Sequence, residues 1–162
     1  MSIFWRNLGF FVTLRQNSDE METNVIGREE EKRQLNSYIG SPRSEFIAIY
    51  GRRRIGKTFL VKEMFEGRFA FRMTGKEKAD TKEQLSNFQY ALSDFGAETD
   101  LPTDWTEAFR MLSQHIERLG TDKPKSLFFD ELPWLDSTGS HFVDALEYFW
   151  NSWAYYRNDI KL

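Results

Sequence analysis

The apolar run Glu45-Phe46-Ile47-Ala48-Ile49-Tyr50 stops at Gly51-Arg52-Arg53-Arg54-Ile55-Gly56-Lys57-Thr58, and helical spacing resumes at once over Lys57 to Glu66. This octapeptide constrains the fold more than any other feature of the chain. It fills every fixed position of the pattern G-x-x-x-x-G-K-[ST], which works only between a strand and a helix. The glycines permit a tight turn whose backbone N–H groups point inward, and the following helix offers its positive N-terminal end to an anion. In that geometry Lys57 reaches the β and γ phosphates of ATP as a mobile point charge, and the Thr58 hydroxyl ligates Mg²⁺. The candidate nucleotide-binding set is therefore Gly51, Arg52, Arg53, Arg54, Ile55, Gly56, Lys57 and Thr58, with Phe59 in the first helical turn. Within it, Arg52, Arg53 and Arg54 read first as a solvated charge run, with lining of the phosphate site or contact with a neighbouring subunit as alternatives.

A second signal lies far downstream. Leu127-Phe128-Phe129-Asp130-Glu131 is an apolar strand ending in two carboxylates. A parallel sheet places the ends of neighbouring strands on one edge, so Asp130 is expected to face Thr58. Asp130 then serves the metal, while Glu131 orients and polarises the water attacking the γ phosphate. An acid pair after an apolar run is a weak signal alone, because a helix or turn cap has the same appearance. Joined to the glycine loop, it favours catalysis, with Glu131 and Lys57 as the catalytic candidates.

The remaining periodicities supply the scaffold. Glu29 to Ile39 predicts a charged helix with Leu35, Tyr38 and Ile39 on one side, closed by Gly40. In the helix over Lys57 to Glu66, Phe59, Leu60, Met64 and Phe65 are available to pack. Arg68 to Met73 predicts a strand and Thr74-Gly75 a turn. A helix is expected from Asp80 to Phe95, with Thr81 and Gln84 at capping-box spacing. Another runs from Asp104 to Leu119, with Phe109, Leu112, His115, Ile116 and Leu119 on its inner stripe. Ser126 to Phe129 is a buried strand, and Phe142 to Tyr155 an aromatic-rich helix. This alternation predicts an α/β domain, a three-layer P-loop NTPase architecture with a mainly parallel sheet.

The 162-residue length suits one domain, and 40% hydrophobic with 29% charged residues is the balance of a folded globular chain. A net charge of −3 gives no general attraction to nucleic acid or anionic membrane. The absence of cysteine rules out disulfides and thiolate metal sites and fits a cytoplasmic setting. Ile3-Phe4-Trp5 and Leu8 to Leu14 are apolar but interrupted by Arg6 and Asn7. They fall short of the roughly 18 to 20 residues that cross a bilayer, and no small-residue cleavage site follows, so no membrane role is expected. Residues 1–22 read as a disordered N-terminal extension, with Met21 as an alternative start, and residues 23–162 as the domain.

Other chemistry-bearing residues have plainer readings. His115 falls on an apolar stripe and reads as a core histidine, and His141 as a helix starter. Trp134, Phe142, Tyr148, Phe149, Trp150 and Trp153 have helical spacing and read as packing rather than as a base-stacking surface. Gly27-Arg28-Glu29 is either a helix entry or a short segment covering the adenine.

The chain resembles the archaeal-type ATPase family within the AAA+ and signal-transduction ATPase group. The resemblance runs from about Asn24 to the C-terminus and rests on Val25-Ile26-Gly27-Arg28-Glu29, on Ile49 to Thr58, and on Phe129-Asp130-Glu131-Leu132-Pro133-Trp134-Leu135. It implies an adenine-side role for Gly27, Arg28 and Glu29, a γ-phosphate and Mg²⁺ role for Lys57, Thr58 and Asp130, and a catalytic-base role for Glu131. In that family the aromatic helix is followed by a strand ending in a polar sensor residue, an arginine that completes the site, a helical lid, and a winged-helix or nuclease-like region. The resemblance thus implies that this sequence is the N-terminal part of a longer protein, incomplete at its C-terminal end. Asp159-Ile160-Lys161-Leu162 then reads as the start of a strand lying between the P-loop strand and the Asp130 strand. The expected activity is Mg-dependent ATP hydrolysis used as a conformational switch on a partner protein or C-terminal domain. The alternatives are a module controlled by nucleotide occupancy without significant turnover, and a DNA-associated initiator-type or mobile-element ATPase, which the acidic charge does not support.

Overall fold

The computed structural model describes residues 11–13, 28–52, 54–65, 67–120 and 123–162. The first described element is strand β1 (Phe11–Thr13), which pairs in parallel with β2 (Ala48–Tyr50). Strand β1 lies within the extension read as disordered and is held by its pairing with β2; the rest of that extension lies outside the described residues. Between these strands comes helix α1 (Glu29–Ile39), with the predicted bounds and with Leu35 fully buried.

Helix α2 (Lys57–Met64) follows the glycine loop directly. It stops short of Glu66, with Phe65 as its cap at φ −111°. Leu60, Val61 and Phe65 are buried, whereas Phe59 is 57% exposed. The packing expected of Phe59 is therefore corrected: Leu60 and Val61 face the core around Leu35, and the turn of the helix carries Phe59 away from it.

Strand β3 (Phe69–Thr74) leads to α3 (Thr81–Asp94), α4 (Trp105–Arg118) and β4 (Lys125–Asp130). The capping box of α3 lies one position earlier than the sequence spacing suggested. Asp80 accepts from the Glu83 amide and Glu83 accepts from the Asp80 amide, because Thr81 is already helical and Gln84 turns inward. On α4 the stripe Phe109, Leu112, His115 and Ile116 is buried, but Leu119 is the cap beyond the last turn and is 46% exposed. A one-turn helix α5 (Leu132–Leu135), not foreseen, follows β4. Helix α6 (Phe142–Ser152) ends before the expected Tyr155: the chain leaves helical geometry at Trp153, whose indole donates to Glu117 of α4 at 2.9 Å, and continues as a 3₁₀ turn, Ala154–Tyr156.

Strand β5 (Ile160–Lys161) completes a parallel sheet of order β3-β4-β5. Hydrogen bonding continues beyond β5. Glu45 N–H donates to Ile160 O at 2.8 Å, Leu162 N–H to Glu45 O at 2.9 Å, and Ile47 N–H to Leu162 O at 2.6 Å. Thus β5 lies between β4 and the segment leading into β2, the place the resemblance implied for Asp159 to Leu162. The apolar run at Glu45 is split accordingly, its first half bonded to β5 and its second half forming β2.

Successive strand residues face opposite sides of the sheet. Leu127 joins a large cluster with Phe71, Phe88, Trp105, Phe109, Phe142 and Phe149, with Phe129 packed against it; Phe128 joins a smaller one with Leu35, Leu60, Val61 and Phe65. A register shift between Phe69 and Phe71 lets both Ala70 and Phe71 reach the large cluster. Helices therefore flank both faces, α1 and α2 on one, α3, α4 and α6 on the other. Of the aromatic helix, Phe142, Phe149 and Trp150 are buried as expected from packing, while Tyr148 is exposed. His115 is a buried core residue, and His141 stands at the N-terminal boundary of α6 without a side-chain cap bond.

Candidate functional site

At the C-terminal edge of the sheet, the glycine loop and the end of β4 meet. Thr58 Oγ1 donates to Asp130 Oδ2 at 2.8 Å, across 72 positions of sequence. The other carboxylate oxygen, Oδ1, accepts from the Glu131 N–H at 3.0 Å. Asp130 is thus oriented by bonds to both oxygens, one from the glycine-loop helix and one from its own strand end.

Gly56 precedes α2 at φ +76°, and a Cβ there would meet nothing within 4 Å. The need for glycine is therefore conformational rather than steric, since L side chains disfavour this region. Among the described residues no side-chain cap bond closes the start of α2, which leaves the amides of its first turn open. Lys57 Nζ donates to the carbonyls of Gly51 at 3.0 Å and Arg52 at 2.8 Å, folding the ammonium over its own loop. Arg52 and Arg54 are exposed, as a solvated charge run would be, and Arg54 has φ +65°. Arg53 lies outside the described residues.

Glu131 has left-handed backbone, φ 54° and ψ 47°. For a residue with a Cβ this is strained and persists only where neighbours hold it, a feature concentrated at functional sites. Its carboxylate has no hydrogen-bond partner among the described residues.

The Gly27 to Glu29 candidate divides. Gly27 lies outside the described residues, and Glu29 is an exposed first-turn residue 3.8 Å from Lys32. Arg28 reaches back to the loop: its Nη2 donates to the Ile55 carbonyl, and its buried Nη1 has no partner among the described residues. That contact had no local signal, since its partner is 27 positions away. Gln84 was also missed as a buried link to Lys76 and Trp134, although its position four and eight residues before Phe88 and Leu92 placed a polar amide on an apolar stripe.

No group of three or more His, Cys, Asp or Glu side chains able to hold a metal occurs among the described residues. None of their helices is long and apolar enough to cross a membrane. No family model matches the chain, and no solved structure matches it significantly. An uncharacterized protein of Methanocaldococcus jannaschii is similar, 54% identical over 43 residues that make up 26% of this chain and 10% of that protein. A likeness spanning a tenth of that relative's length assigns no family.

Proposed function

We propose that this chain is a P-loop domain that binds Mg-ATP and hydrolyses it as a conformational switch, with a three-layer P-loop NTPase fold. The observation that carries the reading is the 2.8 Å hydrogen bond from Thr58 to Asp130. It joins the last residue of the glycine-loop pattern to the acid at the end of an apolar parallel strand, which is the pairing the chemistry needs.

The donor set fits magnesium. A hydroxyl and a carboxylate are hard oxygen donors, and Mg²⁺ typically takes only one or two protein groups beside water and phosphate oxygens. When bound, the ion would neutralise charge building on the β and γ phosphates. Thr58 and Asp130 would hold it. The backbone amides from Gly51 to Thr58 and the open start of α2 cradle phosphate oxygens. Lys57, on a flexible stem with three donors, exchanges the Gly51 and Arg52 carbonyls for the charged β and γ oxygens. Glu131 accepts a hydrogen bond from water and aims it at the γ phosphorus. Arg28 supports the loop through Ile55, and its spare buried donor suits an acceptor on the nucleotide.

Calorimetric titration of Mg-ATP into the wild type and Lys57→Ala, with circular dichroism to verify folding, tests the reading. Lys57→Ala should weaken binding by about 10- to 100-fold, matching roughly 1.5–3 kcal/mol for hydrogen bonds to a charged group. Glu131→Gln should bind normally and lose turnover. A folded wild type that takes up no Mg-ATP would sink the proposal.

A further inference from the structure

Gln84 is 1% exposed, on the inner face of α3 beside Leu85 and Phe88. A buried amide must satisfy both its donor and its acceptor ends. Here Nε2 donates to Lys76 O at 2.7 Å and to Trp134 O at 3.1 Å, while Oε1 accepts from the Lys76 N–H at 3.0 Å. One side chain therefore ties the turn after β3 to α5.

The same turn also bears on Glu131. Gly75 N–H donates to Asp130 O at 3.0 Å. A Cβ on Gly75 would lie 2.9 Å from Glu131 O and 3.1 and 3.2 Å from the Leu135 side chain. Trp134 N–H donates in turn to Glu131 O at 2.9 Å. A path thus runs from Gln84 to the Trp134 carbonyl, along the Trp134 backbone to its own N–H, and from there to the Glu131 carbonyl, at a residue whose backbone is left-handed.

We propose that Gln84 is a positioning residue for Glu131: it clamps the one-turn helix that starts there against the turn after β3, with Gly75 supplying the close approach. The inference rests on the reading of Glu131 as the group that aims the attacking water. Gln84 itself touches no substrate. It fixes the strained strand end from which the carboxylate projects, so it governs the rate of the chemical step and leaves phosphate binding to the glycine loop.

Gln84→Met keeps the shape of the side chain and removes all three hydrogen bonds. Gln84→Glu keeps the acceptor for the Lys76 amide and removes both donations. Gly75→Ala presses on Glu131 from the other side, and serves as a second route if Gln84→Met fails to fold. Turnover at saturating Mg-ATP should fall roughly 10- to 100-fold in Gln84→Met and Gly75→Ala while the dissociation constant stays within about threefold, since displacement near 1 Å is costly to chemistry but not to a separate phosphate cradle. Hydrogen exchange should accelerate at the Trp134 and Asp136 amides and stay unchanged in α4.

Gln84→Met and Gly75→Ala proteins that turn over at the wild-type rate overturn the proposal. So does a parallel loss of affinity and turnover, which marks a general structural role. If Glu131→Gln hydrolyses as fast as the wild type, or the wild type does not bind nucleotide, the reading of the site fails and this inference with it. The exchange data would then still report whether the clamp exists.

Discussion

Where β4 ends, Asp130 and Glu131 are half-buried, Lys57 lies over exposed loop carbonyls, and Glu131 has no side-chain partner among the described residues. Where β4 begins, Lys125 is 5% exposed and lies 3.3 Å from Asp159, which also receives two 2.8 Å bonds from Arg157. Beside them Lys161, 2% exposed, donates to the carbonyls of Ser41 and Arg43, and Glu45 accepts from Ser41 Oγ at 2.5 Å. The two edges of one sheet thus treat charge in opposite ways. At the N-terminal edge charges are desolvated and must be matched, so they knit residues 41–45, 123–125 and 157–161 together. At the C-terminal edge the charges lie under thin cover and are only partly desolvated.

The electrostatics of the N-terminal edge follow from that burial. Burial works to raise the Asp159 carboxyl, but the hydrogen bonds from Arg157 and Lys125 prevail and hold it below its ordinary 3.8. Burial pushes the Lys161 ammonium below its ordinary 10.5, against the pull of Glu45 and Asp159.

The largest expected effect breaks the buried edge. Asp159→Ala leaves Lys125 and Arg157 without their carboxylate and should destabilise the fold by about 3–5 kcal/mol, read by urea denaturation. Nucleotide affinity of the folded fraction should not change. Loss of affinity with intact stability would erase the distinction between the edges.

The converse substitution, Asp130→Asn, should cost only about 1 kcal/mol of stability, the worth of one partly exposed hydrogen bond. It should abolish the magnesium dependence of ATP binding. A destabilisation as large as that of Asp159→Ala would show that Asp130 is a structural group.

The smallest effect is a pH dependence. Burial first, then the Arg118 charge, lowers the His115 pKa from its ordinary 6.5, with the Ala70 backbone acting the other way. Because the unfolded chain takes up the proton more readily, stability is full above pH 6.5 and declines as pH falls below it. The lowered Asp159 value adds a second loss further into acid, below 3.8, as its carboxylate is protonated in the fold. Denaturation midpoints across pH 7.5 to about 5 should fall in the wild type and flatten in His115→Phe. An unchanged slope would assign the acid response to other groups.

Local features of the chain were legible early. The bounds of α1 agree with the reading of its periodicity, and α3 and α4 differ by a residue or so at each end. The rise from strand to glycine loop to helix was equally clear, because all of its determinants are neighbours in sequence. The errors lie where an outside partner decides the outcome. Trp153 left its helix for Glu117, Gln84 turned inward to Trp134, and Phe59 turned outward because Leu60 and Val61 took the buried face.

The sequence by itself determined the course of the long helices α1, α3 and α4 and of strands β3 and β4, and the turn from the glycine loop into α2. Spacing, caps and glycine conformations are local physics, and a local pattern suffices to express them. The expected approach of Asp130 to Thr58 became a 2.8 Å hydrogen bond, but only the tertiary structure decided that Gln84 bonds to the Trp134 carbonyl and that Lys125 and Lys161 are buried rather than solvated. Burial of a charge is tolerable only when partners arrive from elsewhere, and for Lys161 they arrive from about 120 positions away.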